Sequence, residues 1–118
     1  MTVEVKTEMG RIEIVEDVIA TIAGGAAMEC YGVVGMVSQH LLKDGIIDLL
    51  GKENLSRGVL VEKKEDQVNL NIYIMVSYGT RISEIAHNVQ TRVKYTLEQT
   101  VGIHIGSVNV FVQGVKVV

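Results

Sequence analysis

Alternating apolar and polar positions along the chain predict four strands. From residue 68 to residue 77 the even-numbered positions are Val, Leu, Ile, Ile and Val, and most odd-numbered ones are polar, as in a half-buried strand. Shorter stretches at 9–14 and 59–63 predict two more strands, and the KEDQ sequence before residue 68 suits a hairpin turn. The last strand is predicted at 103–112. Its apolar positions change from odd to even numbers near Gly106, so we expect a bulge or bend there.

Apolar residues at helical spacing predict a first main helix. It follows the first strand and starts near Glu16, an acidic residue suited to the positive end of a helix. Gly32 or Gly35 is expected to end it. Gly24 and Gly25 interrupt its apolar stripe. Because a glycine inside a helix costs about 1 kcal/mol relative to alanine, we expect the backbone of the sheet or of a second main helix to pack closely against this pair.

A second main helix is predicted to follow the longest strand. It opens at Gly79-Thr80, with Thr80 as the N-cap, and Gly102 closes it. A shorter and less regular helical stretch is predicted at 38–50, followed by a loop at 51–58. The predicted buried stripe of the second main helix consists of Ile82, Ile85, Ala86, Val89, Val93, Leu97 and Val101.

This order of elements, β-α-(α)-β-β-α-β, predicts the α+β class. The economical arrangement is a two-layer sandwich in which the two main helices pack on one face of a four-stranded sheet. The 118 residues are enough for one domain with a real core and too few for two, so residues 1–118 are interpreted as a single domain.

The opposite face of the predicted sheet carries Tyr73, Met75 and Phe111 among amide side chains, so it is neither a core nor strongly charged. In the segment 40–55 the apolar residues cannot share one narrow helical stripe, since successive residues are about 100° apart. Such a patch with charged neighbours is typical of a subunit or partner contact. The candidate contact residues are Ile46, Ile47, Leu49, Leu50, Tyr73, Met75 and Phe111.

Charge and composition narrow the classes of function. The chain is 47% hydrophobic and 21% charged, which is typical of a folded domain. Its net charge of −3 argues against a dedicated nucleic-acid binder and against direct docking on anionic lipid. A single cysteine fits a reducing cytoplasm. The N-terminus does not read as a signal peptide, and no apolar window approaches the length that crosses a bilayer.

No arrangement of residues predicts a catalytic site, a metal site or a cofactor. Cys30 falls on the apolar stripe of the first helix, which favours a small buried hydrophobe over a nucleophile. His40, His87 and His104 lie in three different elements. Glu84 and His87 have the Glu-x-x-His spacing of carboxylate metal sites, but one copy without partners favours a solvated helix face.

The GVVG sequence from Gly32 to Gly35 leaves two interpretations open. It matches the Gly-x-x-Gly loop with which KH domains clamp a nucleic-acid backbone between two helices, so a single-stranded RNA-binding module is an alternative. Its inner residues are Val33 and Val34, and the nearest cationic residue downstream is Lys43. A clamp without positive charge is poorly suited to phosphate. The favoured interpretation is therefore a helix-ending turn whose valines are held in the core.

The whole chain resembles the alkaline-shock family of envelope-stress-response proteins, in particular its YloU-like members in Gram-positive bacteria. The resemblance runs from about residue 9 to residue 118. It rests on four sequence blocks that are specific only in combination. They are GRIEI followed by VIATIAGGAAMECYGVVGM, KDGIIDLLGKENL, YGTRISEIAHNVQ followed by VKYTLE, and the ending VNVFVQGV.

This resemblance implies a small, non-enzymatic cytoplasmic protein linked to cell-envelope homeostasis. It implies a homo-oligomer that works through protein partners, recruited to the inner face of the membrane by an anchored partner rather than by inserting directly. The family brings no catalytic residues, so none is carried over to this chain. What the resemblance implies thus agrees with the lack of any predicted catalytic constellation.

Overall fold

The computed structural model of this chain describes residues 2–38 and 49–117. Two hairpin strands come first, and a sheet with two long helices follows. The elements are β1 (Thr2–Thr7), β2 (Gly10–Val15), α1 (Glu16–Met28), β3 (Val33–Met36), a 3₁₀ helix (Lys52–Gly58), β4 (Val59–Lys64), β5 (Gln67–Ser77), α2 (Ile82–Thr100) and β6 (Ile105–Lys116).

The strand β5 lies at the centre of a four-stranded sheet. On one side it pairs in parallel with β6 along residues 68–77. On the other side two shorter strands share its length, both antiparallel. The strand β4 pairs with residues 67–72, and β3 pairs with residues 74–76. Because α2 connects β5 to β6, these three elements form one β-α-β unit.

Both long helices contribute to a core on one face of this sheet. Every even-numbered residue of β5 from Val68 to Val76 is buried. These side chains form one apolar cluster with Ile19 of α1 and with Val89 and Leu97 of α2. Each such side chain contributes about 1.5–3 kcal/mol when fully buried. The predicted α+β class, with two main helices and a sheet of four strands, is confirmed.

One strand of the sheet differs from the prediction. Residues 33–36 form β3, so the prediction of a turn there is wrong. The predicted strand at 9–14 is present as β2, but it pairs with β1 in a separate hairpin. The strand β3 escapes a pattern search because it has only four residues, and Val33, Gly35 and Met36 are all buried. A short, uniformly buried strand shows no alternation.

The hairpin of β1 and β2 joins the core at its base. Val3 is only 6% exposed and belongs to the core cluster, whereas Met9 at the turn is 98% exposed. On the polar face, Arg11 lies 3.8 Å from Glu4 and 3.5 Å from Glu13. Such exposed ion pairs add little stability. The base of the hairpin is therefore fixed by Val3 and its apolar neighbours.

The turn between α1 and β3 explains one glycine of the GVVG sequence. The helix α1 ends at Met28, earlier than predicted. Gly32 follows with φ +89°, a conformation that favours glycine. A Cβ atom at this position would overlap the side chain of Ile85 in α2. Gly32 therefore allows the chain to turn closely beneath α2.

Of the two predicted ends of α2, the start is wrong and the end is correct. The helix begins at Ile82, so Thr80 is not its N-cap. The Thr80 hydroxyl instead donates to the Ser77 carbonyl at 2.7 Å and closes the turn after β5. Gly102 ends the helix as predicted, with φ +80° and its N–H donating to the Leu97 carbonyl at 3.2 Å.

The segment between β3 and β4 also departs from the sequence prediction. The expected loop at 51–58 contains the 3₁₀ helix. The helix predicted at 38–50 falls largely outside the described residues. At its borders, Val37 and Leu49 form an antiparallel bridge, and the Leu50 N–H donates to the Met36 carbonyl at 2.8 Å. The chain therefore returns to the end of β3 before it enters the 3₁₀ helix.

The bulge predicted near Gly106 is present in β6. Gly106 is the extra residue between Ile105 and Ser107 in the ladder with β5. A Cβ atom at Gly106 would lie 2.6 Å from side-chain oxygens of both Asn69 and Gln67. Glycine is therefore the residue that leaves room for these two neighbours.

A second bulge in β6 was not predicted. Val112 pairs with Ile74 and Gly114 pairs with Met75, which leaves Gln113 as the extra residue. Between the two bulges, residues 107–112 pair with β5 in regular register. Six residues of β6 thus pair regularly with β5 between the two bulges.

The close approach predicted at Gly24-Gly25 holds for one of the two glycines. A Cβ atom at Gly24 would lie 3.1 Å from the Leu55 Cβ and 3.3 Å from the Leu55 carbonyl oxygen. The neighbour is the 3₁₀ helix, not the sheet or α2 as expected. Nothing lies within 4 Å of a Cβ at Gly25, so the expectation of close packing there is wrong.

These two glycines give a matched pair of variants. We expect Gly24→Leu to lower the free energy of unfolding by about 1–3 kcal/mol, because the new side chain overlaps Leu55. Gly25→Leu should leave it unchanged or raise it by up to about 1 kcal/mol, because leucine favours the helix. Urea unfolding followed by circular dichroism measures both. Equal losses in the two variants would contradict the assigned packing.

Candidate interaction surface

The outer face of the sheet, opposite the helices, begins with a row of polar side chains shared by β5 and β6. Asn69 pairs in register with Ser107, and Asn71 with Asn109. The Ser107 hydroxyl donates to Asn69 Oδ1 at 2.9 Å, and Asn109 Nδ2 donates to Asn71 Oδ1 at 3.0 Å. These bonds fix the side chains across the two strands and leave part of each polar group open to solvent.

The same row continues with an aromatic pair. Tyr73 of β5 lies beside Phe111 of β6, with ring centroids 5.0 Å apart and ring planes inclined by 15°. Such a stacked pair contributes about 0.5–1.5 kcal/mol beyond the burial of its area. Phe111 nevertheless stays 40% exposed. The pair is thus ordered by stacking while one ring remains accessible.

Two further apolar side chains lie on this face over glycines. A Cβ atom at Gly114 would lie 2.8 Å from both Cε and Sδ of Met75, so the methionine covers that glycine. A Cβ atom at Gly35 would lie 2.7 Å from Cδ2 of Leu49. Because Gly35 pairs with Met75 and paired residues face the same side, Leu49 lies on the outer face too.

The structure therefore brings four of the seven predicted contact residues to one face. We refer to Leu49, Tyr73, Met75 and Phe111 as the outer cluster. Leu50 lies elsewhere, because its half-buried side chain packs against the core. Ile46 and Ile47 lie outside the described residues. A contact made by any of these seven residues stays a prediction.

Charged residues flank this surface on the β4 side. Glu62 pairs with Asn69 and Lys64 pairs with Gln67, so both charged side chains lie on the same face as the polar row. Both are exposed. The face therefore grades from charged residues at one corner, through amides, to the outer cluster. Protein contacts usually combine apolar residues with polar residues beside them, and this face has both.

The GVVG sequence does not form the loop that a KH domain requires. Only Gly32 lies in a turn, and the other three residues belong to β3. Val33 and Gly35 are buried, and the Gly32 carbonyl accepts the Ser77 N–H at 2.9 Å. Val33 belongs to the core as expected, but Val34 is only half-buried, and a strand rather than a helix-ending turn holds both. No Gly-x-x-Gly loop projects between helices here.

A second surface lies between α2 and the residues that follow α1, where a groove of about 520 Å³ is lined by residues 29–31 and by residues of α2. Arg92 Nη2 donates to Glu29 Oε2 at 2.9 Å across it. Burial raises the pKa of the Cys30 thiol, and the Arg92 charge opposes this shift only in part. The Cys30 Sγ donates to the Ala26 carbonyl at 3.6 Å. These surroundings disfavour the thiolate.

The remaining candidates for chemistry are separated from one another. Glu84 lies 3.6 Å from Arg81 in an exposed ion pair, and His87 is exposed on α2. His104 lies 3.9 Å from Glu98 at the other end of that helix. Within residues 2–38 and 49–117, no group of three or more His, Cys, Asp or Glu side chains is placed to hold a metal ion.

Residues 4–117 match the alkaline-shock protein 23 family, which is described as having a cell envelope-related function. The chain belongs to this family. None of the helices in the described part of the chain is long and apolar enough to cross a membrane. No solved structure matches the chain.

The relatives are proteins of Gram-positive bacteria whose roles are not characterised. The chain is 56% identical to the uncharacterised protein YloU of Bacillus subtilis over 117 residues, which is 99% of this chain and 98% of YloU. It is 47% identical over 118 residues to the uncharacterised protein Spy1614 of Streptococcus pyogenes, covering 100% and 98% of the two chains. Identity to YqhY of B. subtilis is 32% over 110 residues, covering 93% and 80%.

The environment of Cys30 gives a test of its role. Because burial raises the thiol pKa, the thiolate forms at higher pH in the native protein than in the unfolded chain. We expect iodoacetamide to alkylate native Cys30 more slowly than the same residue in denaturant at equal pH, with the native rate profile shifted to higher pH. Mass spectrometry across a pH series measures this. Faster native alkylation near neutral pH would instead indicate an activated nucleophile.

Proposed function

We propose that this protein is a non-enzymatic scaffold or adaptor that acts in the cytoplasm in cell-envelope homeostasis. In this proposal it self-associates and binds protein partners, one of which is anchored in the membrane and recruits it to the inner face. The observation that carries the proposal is the outer cluster, in which a stacked aromatic pair, a methionine and a leucine share one sheet face.

Exposed apolar side chains are common on proteins when they occur singly. Here Leu49 is 38% exposed and Phe111 40% exposed, and both lie on the same face as Tyr73 and Met75. Aromatic residues and methionine are enriched at the centres of protein contacts. The rings also need little further ordering, because stacking and the strand register already hold them. A preordered apolar face supports binding to another protein surface.

The alternative of RNA binding through residues 32–35 receives no support from the geometry. Val33 and Gly35 are buried in β3, and a backbone clamp would need them at an open loop. The net charge of −3 also opposes phosphate binding. The envelope-related description of the family favours the scaffold over this alternative.

Self-association can be tested with matched aromatic variants. We expect the average mass of the purified protein to rise with concentration in light scattering, and Phe111→Ser to weaken the association by about tenfold, equivalent to about 1.4 kcal/mol. The control is Tyr95→Ser, which removes a 65% exposed ring from α2 on the other side of the molecule. A strictly monomeric wild type at high micromolar concentration would contradict the self-association. Equal effects of the two variants would contradict a contact that includes Phe111.

A further inference from the structure

The outer edge of β6, away from β5, has an unusual composition. The strand pairs with β5 on one side, and in the described part of the chain no other strand pairs with it. From Ile105 to Val115 it has neither a charged residue nor a proline. Natural sheets usually protect long edges with such residues. Two other strands with open edges follow that rule, since β1 contains Glu4 and Lys6 and β4 ends in a run of charged residues.

The hydrogen-bonding groups on this edge can be assigned from the ladder. The carbonyls of His104 and Lys116 accept N–H groups from the β5 side, from Val68 and Tyr78. In a strand, successive residues direct their backbone groups to opposite sides. The bulge at Gly106 lies between His104 and the regular stretch 107–112, and the bulge at Gln113 lies between that stretch and Lys116. Each bulge shifts the alternation of the backbone groups by one residue. The backbone groups of Val108, Val110 and Val112 therefore point outward.

We propose that β6 pairs antiparallel with β6 of a second copy of this chain, about a two-fold axis through Val110. Val110 then lies opposite Val110 of the second copy, and Val108 lies opposite its Val112. All three outward residues are used, and the register fits between the bulges at Gly106 and Gln113. This inference rests on the self-association proposed above and assigns its surface.

Charge favours a second copy as the occupant of this edge. A two-fold axis brings each strand beside itself, so any charge in it would face a like charge nearby. The absence of charge from residue 105 to residue 115 removes this repulsion. The Val108 carbonyl already accepts Gln90 Nε2 at 3.0 Å. A carbonyl oxygen has two acceptor positions, so this bond is compatible with an N–H from the second copy.

The pairing has a consequence for the outer cluster. Paired residues of an antiparallel ladder face the same side, so Asn109 of one copy lies opposite Phe111 of the other on the outer face. The two clusters then form one continuous surface available to a third protein. Five residue pairs form a smaller contact than a standard interface of roughly 1,600 Å². We therefore expect a weak dimer, visible only at high protein concentration.

Two lysine variants test where the contact lies. Asn109→Lys places like charges about 7–8 Å apart on the diagonal of the new ladder. We therefore expect the dissociation constant of the dimer to rise by at least about tenfold. Asn71→Lys loses the same Asn109–Asn71 hydrogen bond but lies one strand further from the edge. It should change dissociation by no more than about twofold, since the added charge is more distant. Sedimentation velocity across a concentration series measures both.

The outcomes separate this inference from the proposed function. Equal weakening by both variants would overturn the edge pairing and place the contact on the outer face, leaving self-association intact. A monomeric wild type would overturn both. Circular dichroism of each variant checks that the fold is retained.

Disulfide trapping provides a second measurement, because a covalent bond accumulates the paired state even when the dimer is weak. In a Cys30→Ser background, Asn109→Cys with Phe111→Cys should yield a covalent dimer when an oxidant is added, because these positions would be a non-hydrogen-bonded pair with Cα atoms about 4.5 Å apart. The control carries Asn71→Cys with Tyr73→Cys on β5 and should stay largely monomeric. No dimer from the edge variant, or equal trapping in the control, would overturn the pairing.

Discussion

The fold depends on one strand that is fully enclosed by its neighbours. The strand β5 bonds to β6 along one side and to β4 and β3 along the other, and its even-numbered side chains are buried under the two helices. Ile72 illustrates the constraint, since it pairs with Val59 and with Val110 and is fully buried. Because a one-residue slip would turn all five buried side chains outward, this strand has a single register.

The same strand explains which parts of the fold could be predicted from sequence. β5 and α2 are long and periodic, so their patterns reflect their burial directly. β3 could not be found in this way, because its four residues are buried nearly throughout. Its position depends instead on β5, whose residues after Ile72 have no partner in β4 and would otherwise lack a neighbour on that side. That is a tertiary requirement, and no local pattern encodes it.

Only part of the outer surface could be predicted from the sequence. Strand parity alone placed Tyr73, Met75 and Phe111 on one face, and the register then showed that Tyr73 and Phe111 stack. The separation of Leu49 from Leu50 was not predictable, because a bridge to Val37 gives these neighbours opposite directions, as in a strand. Sequence reasoning treated both as part of a helix. Gly35 and Gly114 could have indicated that larger side chains lie on this face, since each leaves room for one there.

The two bulges of β6 have a consequence for how the length of this chain can vary. In most strands, removing one residue exchanges the inner and outer faces of everything that follows. At Gly106 and Gln113 the extra residue is already outside the ladder, so its loss would restore regular pairing. The side chain of Val108 would stay in the core, and that of Phe111 would stay on the outer face. These are therefore the two positions of β6 where evolution could shorten the strand by a residue while keeping both faces in place.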